Sequence, residues 1–157
     1  KMRKILSPKK FVSSIREANT RITKNYFSRE QIGLIISWAE VNKIHKVRHG
    51  IYQRNGRLIS ILTDFGRINP CYPDTHGESA NTILYTGNGR RGDQKLDAQN
   101  RALLDAIDSE LAVPLFNKLA PSRWQFMGYW RVIAGKYIFD EKQSRMIWKF
   151  TLEQTKS

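Results

Sequence analysis

The chain has 157 residues, 40% of them hydrophobic, and carries 27 Lys and Arg against 14 Asp and Glu, a formal charge of +13 with a pI near 10.1. That length fits one domain able to bury a core without metal or disulfide support, and no apolar run approaches the roughly 18 to 20 residues that cross a bilayer. A membrane partner is therefore not expected, whereas a polyanion is. Residues 1–49 hold 12 basic and 3 acidic side chains, net +9, which leaves 15 basic and 11 acidic, net +4, for residues 50–157. Such a field gains affinity for phosphate backbones by counterion release and carries no base information by itself.

Chain order begins with Ser7-Pro8, a cap followed by a residue suited to the first helical turn, and with Phe11, Ile15, Ala18 and Ile22 at helical spacing. A chain opening on Lys1 reads as a fragment of a longer protein. Ser28 and Gln31 form a capping box, Phe27 can staple onto Ile32, and the apolar face of Ile35, Ile36, Trp38 and Ala39 predicts a helix to about Val41. From Gly50 the texture changes to short β-rich runs: Leu58 to Thr63, Thr82 to Thr86, Tyr129 to Ala134, Lys136 to Phe139 and Arg145 to Leu152. Asn55-Gly56 joins residues 51–53 to 58–60 as a hairpin, because both central residues of that turn need positive φ. Leu96, Leu103, Leu104 and Ile107 predict a helix from Leu96 to Ile107. The order of helices and strands predicts an α+β domain with a strongly bent sheet or small barrel over residues 44–157, and a basic helical extension over 1–43 packed on it.

Chemistry-bearing residues concentrate between Cys71 and Leu103. Tyr72 and Tyr85 flank a short acidic loop with Asp74. Then comes Tyr85-Thr86-Gly87-Asn88-Gly89, followed by Asp93-Gln94-Lys95-Leu96 and, after three residues, Asn100-Arg101-Ala102-Leu103. This spaced pattern resembles the SRA (SET- and RING-associated, or YDG) domain, in the bacterial form found in modification-dependent restriction endonucleases. The likeness extends through Gly50-Ile51, Ser60 to Leu62, Gly128 to Val132, Gly135-Lys136 and Trp148-Lys149-Phe150. Phe126-Met127-Gly128 stands where the family has Tyr-Asp-Gly.

The resemblance implies a PUA-like, bent-sheet reader that flips a modified cytosine, 5-methyl or 5-hydroxymethyl, out of duplex DNA without any subsequent chemistry. By position, Tyr72 and Tyr85 would be the stacking faces, Asp74 the acceptor for the cytosine amino group and Thr86 the methyl-facing group. The chemistry is apt: aromatic faces recover about 1–3 kcal/mol of stacking per base, and cytosine offers an N4 donor where thymine has an acceptor. Two loops are candidates for holding the duplex open, one with Lys46, Arg48 and His49 and one with Asn88, Arg90 and Arg91. Asp93, Asn100 and Arg101 read as loop-fixing residues. No catalytic residue, cofactor or metal is assigned, and a nuclease would be fused elsewhere or supplied by a partner.

Two other functions fit parts of the pattern. Pro73-Asp74 with Asp140-Glu141-Lys142 formally matches a magnesium-dependent nuclease, although Asp140 to Lys142 also reads as a polar hairpin turn. Among the histidines, His45 and His49 have i, i+4 spacing but precede a hairpin directly, which argues against a zinc pair. An RNA-binding PUA-like module shares the charge and the aromatics. The single cysteine, Cys71, suits a reducing compartment, either a bacterial cytoplasm in contact with the nucleoid or a eukaryotic nucleus.

Overall fold

The computed structural model describes residues 27–155; the helix expected around residues 8–22 lies outside the described residues. Along the chain run β1 (Ile35–Ile36), α1 (Trp38–Asn42), β2 (Ile51–Arg54), β3 (Arg57–Thr63), β4 (Thr75–His76) and β5 (Thr82–Thr86). These are followed by α2 (Ala98–Ser109), β6 (Ala112–Ala120), β7 (Arg123–Asp140) and β8 (Arg145–Gln154). The strands form one mixed sheet in the order β2-β3-β6-β7-β8-β5-β4, with β1 added on β7. Only β3 and β6 run parallel. Because β2 and β4 end the order without meeting, the sheet curls but does not close, as expected of a bent α+β domain.

Two apolar clusters hold the curl. Ile51, Ile61, Ile83, Leu103, Trp130 and Phe150 meet between the sheet and α2, and Phe27, Val41, Ile44, Phe116 and Phe126 fill the other side. Each large side chain buried this way contributes about 1.5–3 kcal/mol over its exposed state. The hairpin at Asn55-Gly56 forms as anticipated, with φ of 52° and 83°.

Tertiary pairing overrides local periodicity after Ser28. The capping bond is made, since Gln31 Oε1 accepts from the Ser28 N–H at 2.6 Å, yet only a 3-10 turn, Arg29–Gln31, follows. Gly33 takes φ of 95° and donates to the Phe126 carbonyl at 2.7 Å, which turns Ile35 and Ile36 into a strand against β7. The helix restarts only at Ser37, whose Oγ accepts from the Glu40 N–H at 3.3 Å. Phe27 stacks on Phe126 instead of stapling to Ile32, which stays exposed.

Three further boundaries differ from expectation. The runs 129–134 and 136–139 belong to one strand, β7, with a register shift between Val132 and Ala134 facing β8. Strand β6 carries Pro114, and five successive buried residues replace alternation because both faces are covered. Helix α2 begins after Asp97, whose Oδ1 accepts from the Asn100 N–H at 2.8 Å, leaving Leu96 exposed outside it.

Candidate nucleic-acid interface

Strand β5 carries Tyr85 and Thr86 to the end of the sheet, where alternation directs the two side chains to opposite faces. Tyr85 is 3% exposed, and its hydroxyl donates to the Leu62 carbonyl at 2.8 Å. A Cβ on Gly50 would stand 2.9 Å from that hydroxyl, so glycine at this position is what lets the tyrosine seat. Burial holds the Tyr85 phenol well above its usual pKa, with Asp74 adding to the effect.

Asp74 is 4% exposed, and both its oxygens are engaged: Oδ2 accepts from Thr63 Oγ1 at 2.6 Å and Oδ1 from the Thr86 N–H at 2.6 Å. Burial pushes its carboxyl up to about 6, against the opposing pull of these donors and of Lys149. A carboxylate has about four acceptor sites, so Asp74 keeps capacity for a donor arriving from the cavity. Thr86 Oγ1 accepts from Lys149 Nζ at 2.8 Å, so its hydroxyl belongs to a polar chain running to Asp74.

Tyr72, Asp74, Tyr85 and Thr86 line one cavity of about 790 Å³, within the roughly 300–1,000 Å³ of sites that hold small organic ligands. Tyr72 is only partly buried and its hydroxyl lies by the Gly89 backbone. The two tyrosines are thus unequal: Tyr85 is a fixed floor tied into the core, and Tyr72 is a loop-borne wall. Arg48, His49, Asn88 and Arg90 border the same cavity, whereas Lys46 and Arg91 are exposed away from its lining.

Several participants carry no sequence motif. Arg48 lies over the Trp38 ring at 5.3 Å and Lys118 over the Trp124 ring at 5.7 Å, placing two cations on aromatic supports in the cavity wall. Neither is among the ion pairs of the described residues, which are Lys43 with Glu40 and Arg131 with Glu110. His45 is fully buried, with Nδ1 at 2.7 Å from Ser60 Oγ and Nε2 at 2.7 Å from the His49 carbonyl. A carbonyl can only accept, so Nε2 carries the proton and Nδ1 receives the Ser60 hydroxyl. Burial lowers the pKa of this imidazole to about 4, and the neutral ring pins the loop that ends at His49.

The second loop is fixed as the motif implied. Asn100 Oδ1 accepts from the Asn88 N–H at 2.7 Å, its Nδ2 donates to the Asn88 and Lys95 carbonyls, and Asp93 Oδ1 accepts from the Met146 N–H at 2.8 Å. A Cβ on Gly87 would stand 2.7 Å from Asn100 Oδ1 and 2.8 Å from Trp148 Cβ, which explains the glycine. Arg101 is exposed and not part of this bracing. Gln94, buried and given no role by the sequence reading, joins the bracing: Nε2 donates to the Gly87 carbonyl at 2.7 Å and Oε1 accepts from the Trp148 N–H at 2.8 Å. Asp140 sits opposite Arg145 at the β7–β8 hairpin end, and among the described residues no group of three or more His, Cys, Asp or Glu is placed to hold a metal ion.

The family of SRA domains described as ScoMcrA-like matches residues 43–157. Similar solved structures include the SUVH5 SRA domain in complex with hemi-methylated CG DNA, with a TM-score of 0.68 and 22% identity over 81% of this chain and 89% of that one. The modification-dependent restriction endonuclease TagI aligns with a TM-score of 0.67 and 20% identity over 80% of this chain and 50% of its own. The SUVH5 SRA domain bound to fully hydroxymethylated CG DNA aligns at 0.63 and 20% identity over 84% and 95%. No curated protein matches the chain.

Proposed function

Given that the chain belongs to the SRA-domain family, we propose that it reads modified cytosine in duplex DNA by flipping the base into the cavity between Tyr72 and Tyr85, without cleaving the strand. One observation carries the reading: a buried carboxylate with acceptor capacity to spare, Asp74, lines the same cavity as two tyrosines, Tyr72 and Tyr85. The cytosine N4 amino group would satisfy that capacity, while thymine would present its O4 acceptor to a carboxylate and be repelled. The tyrosine faces replace the stacking lost on flipping. Arg48 and Arg90, at the cavity edge, approach the grooves and the phosphates. Relatives of the same fold support the substrate class, since the SUVH5 SRA structures contain methylated and hydroxymethylated DNA and TagI is a modification-dependent restriction enzyme. On that reading the chain is the targeting module of a modification-dependent restriction system, acting with a fused or partner nuclease in the compartment that holds DNA.

The test is a binding panel of one duplex carrying cytosine, 5-methylcytosine or 5-hydroxymethylcytosine, with single-stranded RNA as competitor, at several salt concentrations. The expected result is tighter binding of a modified duplex, a steep salt dependence for every duplex, and no scission with Mg²⁺. Equal affinity for all three duplexes at fixed salt would refute base reading, and preference for the RNA would establish the RNA-binding alternative.

A further inference from the structure

The segment that carries Tyr72 and Asp74 lies between β3 and β4 and belongs to no strand. Its internal bonds, Tyr72 N–H to the Asn69 carbonyl at 3.0 Å and Asp74 N–H to the Tyr72 carbonyl at 2.8 Å, shape a turn without placing it on the sheet. The carbonyls on either side of Tyr72 are both held from β8. Arg145 Nη2 donates to the Cys71 carbonyl at 2.9 Å and Lys149 Nζ to the Pro73 carbonyl at 2.8 Å. Gln143, in the hairpin before β8, adds bonds to Pro70 and Cys71 at 3.3 and 3.2 Å.

The same two cations hold the facing wall. Arg145 Nη1 donates to the Gly89 and Gly92 carbonyls at 2.7 and 3.1 Å, and Lys149 reaches Thr86 Oγ1. Positions 145 and 149 share one face of the strand, so each spans the gap from the same side. Arg145 is 4% exposed, and among the described residues no carboxylate lies within ion-pair distance of Arg145 or Lys149. Burying a guanidinium against neutral carbonyls alone carries a desolvation cost of several kcal/mol, which an apolar side chain would avoid. The return on that cost is a fixed distance between two loops.

We infer that Arg145 and Lys149 are positioning residues of the base pocket: they set the spacing between the Tyr72 wall and the Gly87–Gly92 wall, and selectivity depends on them though neither stacks on the base. The inference rests on the base-reading function proposed above. Lys149 also faces the carboxylates of Asp74 and Asp140, while Tyr85 is near Asp74, Tyr72 and Asp64, and Arg90 and Arg145 lie beside Tyr72. Removing the ammonium takes away the cation that favours ionised Asp74, so the pH midpoint of selective binding moves upward.

The experiment compares wild type, Lys149→Met, Lys149→Arg and Gln143→Ala for thermal melting and for binding of one duplex with 5-methylcytosine or cytosine, across the pH range on both sides of the Asp74 titration. Lys149→Met is expected to lower the modified-to-unmodified affinity ratio about tenfold or more. It should also raise the pH midpoint, while Lys149→Arg keeps the charge and restores both readouts. A folded Lys149→Met protein with the wild-type ratio and midpoint would overturn the inference. Should Lys149→Met fail to fold, Gln143→Ala decides: a reduced ratio at an unchanged melting temperature supports positioning from β8, and an unchanged ratio overturns it. Wild type binding both duplexes equally would defeat base reading itself and this inference with it, whereas a selective wild type with equally selective variants defeats the positioning role alone.

Discussion

Replacing Asp74 by Asn should make the protein more stable and less useful. In the folded chain the Asp74 carboxyl titrates near 6, about two units above its ordinary value of 3.8, chiefly because it is buried. The folded state therefore holds this proton more tightly than the unfolded chain does. Its stabilising contribution is complete below about pH 4 and is lost as the pH rises through about 6. At 1.36 kcal/mol per unit, ionised Asp74 costs the fold up to about 3 kcal/mol at neutral and alkaline pH. An amide occupies the same volume without charge: Oδ1 can accept from Thr86 N–H while Nδ2 donates to Thr63 Oγ1. Asp74→Asn is therefore expected to gain about 1–3 kcal/mol over wild type at pH 8 and almost nothing at pH 4, read by urea denaturation at the two pH values with the m-value unchanged. His45 titrates in both proteins and cancels in the comparison. Affinity for a duplex carrying modified cytosine should fall by at least about tenfold, because a hydrogen bond to a charged acceptor contributes about 1.5–3 kcal/mol. A variant no more stable than wild type at pH 8 would refute the account of a charge buried at a cost.

The two tyrosines should separate cleanly. Tyr72→Ala is expected to leave the melting temperature nearly unchanged while costing about 1–3 kcal/mol of binding to a modified duplex through lost stacking, measured by competition. Tyr85→Phe should instead cost about 1–2 kcal/mol of stability by leaving the Leu62 carbonyl unpaired, measured by denaturation. His45 gives the opposite pH signature to Asp74: with its pKa depressed to about 4, its contribution is complete above 6.5 and is lost as the pH falls through about 4. That loss amounts to about 3 kcal/mol, and His45→Leu should flatten the acid limb of the stability profile although the variant is less stable overall.

How much of this could be read before the structure depended on whether the determining contacts were local. The Asn55-Gly56 hairpin and the polar turn after Asp140 are decided by neighbours in sequence, and each stands close to where the residues placed it. The segment from Ser28 to Val41 has a helical apolar period, but Ile35 and Ile36 gain more by pairing with Gln125 and Trp124 some ninety residues away. Strand β6 is buried on both faces and interrupted by Pro114, so neither alternation nor β-propensity marks it. At the site, Tyr85 and Thr86 are embedded in a spaced motif and were legible. The roles of Lys149 and Arg145 were not, because their hold on the Tyr72 segment is on backbone carbonyls, which have no sequence. Trp38, Lys118 and Trp124 reach the cavity from α1, β6 and β7, three elements whose meeting is a property of the sheet order.

That sheet order explains why the pocket has a rigid side and an adjustable one. Tyr85 and Thr86 lie on β5, bonded across to Phe150 and Lys149 of β8, and Thr63 ends β3, which is paired on both sides by β2 and β6. The Asp74 carboxylate bridges Thr63 and Thr86, ends of two strands that are not neighbours in the sheet, and so links the curled sheet across its open gap. Changes to this floor alter stability and recognition together. By contrast, the Cys71–Asp74 backbone is suspended from side-chain donors of the β8 hairpin, and the Gly87–Gly92 loop hangs from the same arginine. Changes in the length or composition of either loop move a wall of the cavity while leaving both apolar clusters intact. A domain built this way can be retuned from one cytosine modification to another through its walls, provided that the donors of β8 keep their hold on the carbonyls beside Tyr72.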